Sequence, residues 1–157
     1  MSTGALRIDT GTWAECAQGA RAVRTAVFIE EQGIPPEDEW DAADADAVHA
    51  LARDATGRCI GTARLLVEQA DAASAAGQVE RVARIGRVAV LPAWRGQQVG
   101  VALMHALCAL ARSRGDRSVV LSAQYSAQGF YARLGFVAEG DIYDDAGIPH
   151  ITMRRAL

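Results

Sequence analysis

The order of elements along the chain predicts a mixed α/β (α+β) fold built on one sheet. Three observations carry the prediction. Short apolar runs with strand spacing outnumber the helical ones. Val82 to Leu91 alternates into the unbroken apolar run Val88-Ala89-Val90-Leu91, the pattern of a central strand. The order strand, helix, three strands, helix, strand, helix, two strands lacks the regular alternation of a doubly wound parallel sheet.

Leu6 to Asp9 reads as a short strand. Thr12 is placed to cap a helix reaching about Glu31, where Gly33, Pro35 and Pro36 stop it. Ala22, Ala26 and Ile29 lie along one face of that helix, with Val23 and Val27 beside them. Glu37 to Asp46 reads as an acidic loop around Trp40. Val48 to Arg53 and Cys59 to Val67 follow as strands joined by a turn at Thr56-Gly57. Gln69 to Gln78, rich in Ala, Ser and Gly, reads as a flexible connection.

Pro92 ends the central strand. Beyond Trp94-Arg95-Gly96, the residues Val99, Leu103, Ala106, Leu107 and Leu110 form an amphipathic stripe that Gly115 closes. Val119 to Ala123 is a buried strand, and Ser126 to Leu134 a short helix closed by Gly135. Phe136-Val137 and Ile148 to Met153 complete the set, with a turn at Asp144 to Gly147. No internal repeat is visible, and 157 residues predict one domain, 1–157, burying roughly 70% of its unfolded surface.

Composition narrows the chemistry. All 16 basic residues are arginine, against 19 acidic ones, for a net charge of −3. Without lysine, Schiff-base catalysis and a P-loop lysine are excluded. Any anion must be held by arginine, backbone N–H groups or a helix N-terminus. The acidic balance argues against a nucleic-acid partner, and no apolar run approaches the roughly 18 residues that span a membrane. Met1 to Asp9 lacks a signal-peptide pattern. Cys16, Cys59 and Cys108 fit neither a disulfide framework nor a metal site, which predicts reduced thiols in a cytoplasmic protein.

The strongest local signal is a central strand running through Arg95-Gly96-Gln97-Gln98-Val99-Gly100 into an amphipathic helix. Such a junction aims unsatisfied N–H groups and the helix dipole at one point, where a pyrophosphate would fit. A plain Gly-containing turn fits the spacing equally well.

Taken together, Ile85 to Val90, Arg95 to Gly100 and Phe130-Tyr131-Ala132-Arg133-Leu134-Gly135-Phe136 resemble the GNAT N-acetyltransferase superfamily. Tyr143 to His150 and Val27 to Gln32 are similar to its ElaA-like subgroup. The resemblance implies a mostly antiparallel central sheet, flanked by helices and splayed at an acetyl-CoA site. It implies that Val88, Ala89 and Val90 pair with the pantetheine arm, and that a bulge aims a backbone N–H, such as that of Val88, at the thioester oxygen. The amides of Arg95, Gly96, Gln97, Gln98, Val99 and Gly100 would hold the pyrophosphate, with Gln124, Phe130, Tyr131 and Arg133 completing the donor site. Gln98 stands where the family has glycine, and Gln124 where it has asparagine. No metal is implied.

Tyr131 is the expected general acid, although periodicity alone reads it as a core aromatic. A tyrosine hydroxyl is protonated at neutral pH and can share its proton as thiolate leaves. Candidate bases are Glu30, Glu31, Asp41, His49 and His150, with Glu31 and His49 first because they flank the acidic loop. His105 reads as structural, and Arg81, Arg84 and Arg87 as strand-surface charges, with Arg87 also able to neutralise part of the cofactor. Asp38, Glu39 and Asp41 are either a solvated loop or an attractor for a cationic amine. The acceptor is thus a small-molecule or peptide amine, and a homodimer fits the superfamily. A catalytically weak acyl-CoA binding or sensing module and a structural interaction domain are the alternatives to an enzyme.

Overall fold

The computed structural model describes residues 6–73 and 79–157. Strand β1 (Arg7–Gly11) leads into helix α1 (Trp13–Arg24). Thr12 caps α1 in a reciprocal box: its side chain accepts from the Glu15 N–H, and its own N–H donates to the Glu15 carboxylate at 2.9 Å. The helical path does continue to Glu31, but Thr25–Glu31 is wound as a π-helix. There the Gln32 N–H reaches back to the Val27 carbonyl at 3.1 Å. The buried face is Cys16, Ala20, Val23, Arg24, Val27 and Phe28, whereas Ala22 is exposed. Alanine is a poor marker of the inner face because it is tolerated on either side of a helix.

The predicted acidic loop is two short helical turns, α2 (Pro36–Glu39) and a 3₁₀ turn at Ala42–Asp46. Strand β2 (Val48–Arg53) has the predicted bounds. Strands β3 (Cys59–Ala73) and β4 (Val79–Val90) are longer than predicted. The supposed flexible connection therefore contributes residues 69–73 to β3, and residues 74–78 lie outside the described ones. Helix α3 (Val99–Ser113), β5 (Ser118–Gln124), α4 (Gln128–Arg133), β6 (Val137–Asp145) and β7 (Ile148–Ala156) complete the chain.

The seven strands form one sheet in the order β1-β2-β3-β4-β5-β7-β6. Every neighbouring pair is antiparallel except β4–β5. Leu103, Met104 and Leu107 of α3 pack with Ile60, Leu65, Ile85 and Leu121 of the sheet in the main core. Each such large aliphatic side chain contributes roughly 1.5–3 kcal/mol on burial. At Gly61 a Cβ would lie 3.0 Å from Val99 Cγ1, so the absence of a side chain there lets α3 seat closely on the sheet.

Two irregularities in β4 open the sheet. Its pairing with β5 covers only Val82, Ala83 and Arg84, opposite Ser118, Val119 and Val120. Beyond Arg84 the strands diverge, while β5 stays paired with β7 along its whole length. On the other edge, Thr62 faces Ala89 and Arg64 faces Gly86, so β4 carries one extra residue in that interval. Arg87 takes the strain, with φ +52°. An extra residue of this kind bends its strand and increases its twist.

Candidate active site

The divergence of β4 from β5 forms a cleft of about 1320 Å³. This exceeds the roughly 300–1,000 Å³ of most small-molecule sites, as an elongated donor plus an acceptor would require. Val88, Ala89 and Val90 line one wall. Gln124, Phe130, Tyr131 and Arg133 line the cleft too, as do Arg95, Gly96, Gln98, Val99 and Gly100. Gln97 is the one expected donor-site residue outside the lining; its side-chain amide donates to the Ala93 carbonyl at 3.2 Å.

The loop before α3 has the geometry of an anion seat. Gly96 (φ +78°) and Gln98 (φ +67°, ψ +14°) are both left-handed, and Gln98 sits at the N-cap with no side-chain cap bond. The first N–H groups of α3 therefore keep their donor capacity at the mouth of the cleft. The Gly100 Cα approaches the Phe130 ring so closely that a Cβ would lie 3.1 Å from its Cζ. Here glycine brings the N-terminus of α3 against α4, next to Tyr131. The loop and cleft thus fit an acyl-CoA donor through a helix N-terminus, arginine and an exposed strand edge.

Tyr131 is 8% exposed and packs edge-on against Phe130 and Phe136, with ring centroids 5.0 and 6.0 Å away. Burial pushes its hydroxyl pKa up to about 12. Gln124 donates from Nε2 to Gln32 Oε1 at 2.9 Å, which ties β5 to the end of the π-helix.

Both leading base candidates lie outside the cleft lining and are engaged by other groups. His49 is 1% exposed and lies outside the cleft lining. Its Nε2 bonds the Asp44 carbonyl at 2.9 Å and its ring packs on Trp13. Burial holds its pKa below the usual histidine value. Glu31 also lies outside the lining, in a two-point ion pair with Arg95 at 2.6 and 2.7 Å. That bond holds its carboxyl below the ordinary range. His150, by contrast, does line the cleft and stacks on Tyr143, whose hydroxyl bonds Ser122.

The acidic segment is divided: Glu39 and Asp44 are buried, whereas Glu37, Asp38, Asp41 and Asp46 are exposed. Arg24, 1% exposed on the inner face of α1, donates to Glu39 at 2.7 Å and Asp44 at 2.8 Å, and lies over the Trp40 ring. Arg64 donates to Asp41 at 2.7 and 3.0 Å and to Asp44 at 2.9 Å. Arg87, in the bulge, lies 3.3 Å from Glu39 and 3.4 Å from Asp41. Burial pushes the Glu39 carboxyl above the ordinary range despite its arginines. At Asp44 burial acts the same way, but Arg24 and Arg64 outweigh it and the carboxyl lies below the ordinary range. Of the three acids expected to attract a cation, Glu39 and Asp41 are therefore matched by guanidinium groups, as is Asp44, while the exposed Asp38 lines the cleft. Sequence reasoning missed this network, although a charged Arg24 four residues after the apolar Ala20 on the buried face was its signal.

Among the described residues, no group of three or more His, Cys, Asp or Glu side chains is placed to hold a metal ion. None of the described helices is long and apolar enough to cross a membrane.

Residues 30–157 match the acetyltransferase (GNAT) domain family. The ElaA protein of Escherichia coli is 36% identical over 135 residues, covering 85% of this chain and 82% of ElaA. The crystal structure of Escherichia coli ElaA superposes with a TM-score of 0.76 at 30% identity, covering 96% of this chain and 99% of that one. An acyl-CoA N-acyltransferase from Pseudomonas aeruginosa superposes with a TM-score of 0.75 at 38% identity, with the same coverage. The chain is therefore an acyltransferase and belongs to the GNAT acetyltransferase family.

Proposed function

We propose that the protein transfers the acetyl group of acetyl-CoA to the amine of a small molecule or peptide by direct attack, with Tyr131 as general acid. The observation that carries this reading is the divergence of β4 from β5 beyond Arg84. It leaves Val88, Ala89 and Val90 without a strand neighbour on that side, so the pantetheine amides can add to the edge as a strand would. The Arg95–Gly100 amides receive the pyrophosphate, with Gln124, Phe130 and Arg133 completing the donor site. The bulge at Arg87 turns the Val88 N–H toward the thioester oxygen, where it stabilises the developing oxyanion.

In the reaction a nitrogen–carbon bond forms and the carbon–sulfur bond breaks. Tyr131 shares its proton with the departing sulfur. With a pKa of about 12 it enters each turnover protonated, gives that proton to the sulfur so that coenzyme A leaves as the thiol, and is reprotonated from water. The amine's own proton leaves to water rather than to Glu31 or His49, which the structure engages elsewhere. Free thiols at Cys16, Cys59 and Cys108 support a cytoplasmic setting. A homodimer is the assembly we would look for by light scattering.

One feature favours a second reading, a catalytically weak acyl-CoA binding or sensing module. Gln98 holds a left-handed backbone where glycine would be relaxed. Thiol release and mass-spectrometric product detection over polyamines, aminoglycosides, amino acids and peptide N-termini separate the two. An N-acetylated product formed in step with thiol supports the enzyme. Binding of acetyl-CoA with no release for any amine supports the module.

A further inference from the structure

Arg95 opens the loop that leads into α3, and its fork is already filled. Nη1 and Nη2 donate to the two carboxylate oxygens of Glu31 at 2.7 and 2.6 Å, while Nε donates to the Val90 carbonyl at 3.0 Å. Glu31 is the last residue of the π-helix, so the pair joins the end of that helix to the loop. It is no buried staple, because the two side chains keep 42% and 37% of their surface exposed. A carboxylate gripping both prongs of a guanidinium uses the same two-point geometry as a pair of phosphate oxygens. Three other arginines of the cleft pair with acids of their own, Arg64 with Asp41 and Asp44, Arg84 with Glu68, and Arg87 with Glu39 and Asp41, and Arg133 lines the cleft as well. With no lysine in the chain, Arg95 is the cation at the left-handed loop.

We propose that Glu31 is an internal competitor for the donor's pyrophosphate, occupying the Arg95 fork in the free protein and reclaiming it as coenzyme A leaves. This rests on reading the Arg95–Gly100 loop as the pyrophosphate seat. Glu31 then determines how strongly the enzyme holds its spent cofactor. Product coenzyme A keeps the pyrophosphate after the acetyl group has gone, so tight phosphate binding would slow each turnover at release. A carboxylate that returns to the fork shortens that step, and differences in affinity of this kind act mainly on dissociation.

The test is isothermal titration of the full chain, wild type and Glu31→Gln, with coenzyme A and with pantetheine, which lacks the pyrophosphate. An exposed ion pair of this kind predicts coenzyme A binding about two- to fivefold tighter in Glu31→Gln. Pantetheine affinity should not change. Unchanged or weaker coenzyme A binding overturns the inference, and weaker binding would show instead that Glu31 orients Arg95 for phosphate. Should Glu31→Gln fail to fold, wild-type protein labelled with ¹³C-glutamate gives a second readout. Coenzyme A should raise the titration midpoint of the Glu31 carboxyl and pantetheine should not; a carboxyl that coenzyme A leaves unmoved overturns the inference. If wild type binds neither compound, the acyl-CoA reading itself fails and the inference falls with it.

Discussion

Arg24 Nε and Glu39 Oε2 lie 2.7 Å apart where water scarcely reaches, with side chains only 1% and 3% exposed. The same Glu39 oxygen is 3.3 Å from Arg87 Nε in the β4 bulge. A line of buried charge therefore runs from the inner face of α1 to the bent strand of the cleft. Each member compensates another, so removing one leaves uncompensated charge in a poorly solvated place.

Arg24→Ala should accordingly cost about 3–5 kcal/mol of folding stability, by the penalty for breaking a buried pair. Arg24→Lys should recover little, since one ammonium cannot reproduce the three directed bonds to Glu39, Asp44 and the Glu39 carbonyl. Urea unfolding of both variants checks this. Near-wild-type midpoints would mean that the network is dispensable.

Acid should loosen the fold through Asp44. Its folded pKa is depressed, so its contribution is complete above the unfolded value, near 3.9, and is lost as pH falls through the folded one. Glu39 is shifted the other way, and its contribution weakens as pH rises through its folded value. Asp44→Asn should therefore be less stable than wild type at pH 7, with the deficit shrinking toward pH 3. A deficit that stays constant from pH 7 to 3 would rule out the charge on Asp44 as the cause.

Base acts through Tyr131. Its folded pKa of about 12 lies above the ordinary tyrosine value, near 10. The neutral hydroxyl thus contributes stability that is complete below pH 10 and declines as pH rises toward 12, up to about 3 kcal/mol in all. A spectrophotometric titration, with Tyr131→Phe as the reference, should assign the latest-ionising phenol to Tyr131. Phenolate formation at Tyr131 near pH 10 would contradict the burial argument.

Much of this architecture was legible in the sequence because the signals are local. The alternation of Val82 to Leu91, the α3 stripe and the Thr12 cap each report a short-range preference, and the resemblance placed Tyr131 and the loop on one site. What stayed hidden depends on distant partners. Arg24 meets Glu39 across 15 residues, Arg64 meets Asp44 across 20, and Arg95 meets Glu31 across 64. A run of acids looks solvated until the arginines that neutralise it are brought over it. His49 looked available for the same reason, because its position on β2 does not reveal that Trp13 covers it.

Gln98 offers a backbone test. A left-handed residue other than glycine costs roughly 1–2 kcal/mol, partly offset in any glycine variant by the greater freedom of the unfolded chain. Gln98→Gly should be at least as stable as wild type and bind coenzyme A as well. Gln98→Val, β-branched, should lose about 1–2 kcal/mol. Urea unfolding and calorimetry read both, and a stable Gln98→Val would show that the loop relaxes away from the left-handed form.

The most direct measurement of the central claim is amine-dependent thiol release from acetyl-CoA by wild type and Tyr131→Phe, with coenzyme A affinity measured for both. Loss of a general acid predicts a fall in kcat of about 10²-fold or more. Coenzyme A binding should stay within about twofold, since the variant removes one oxygen and keeps the ring packing against Phe130 and Phe136. Equal turnover by the two proteins would remove Tyr131 as the acid and contradict the account.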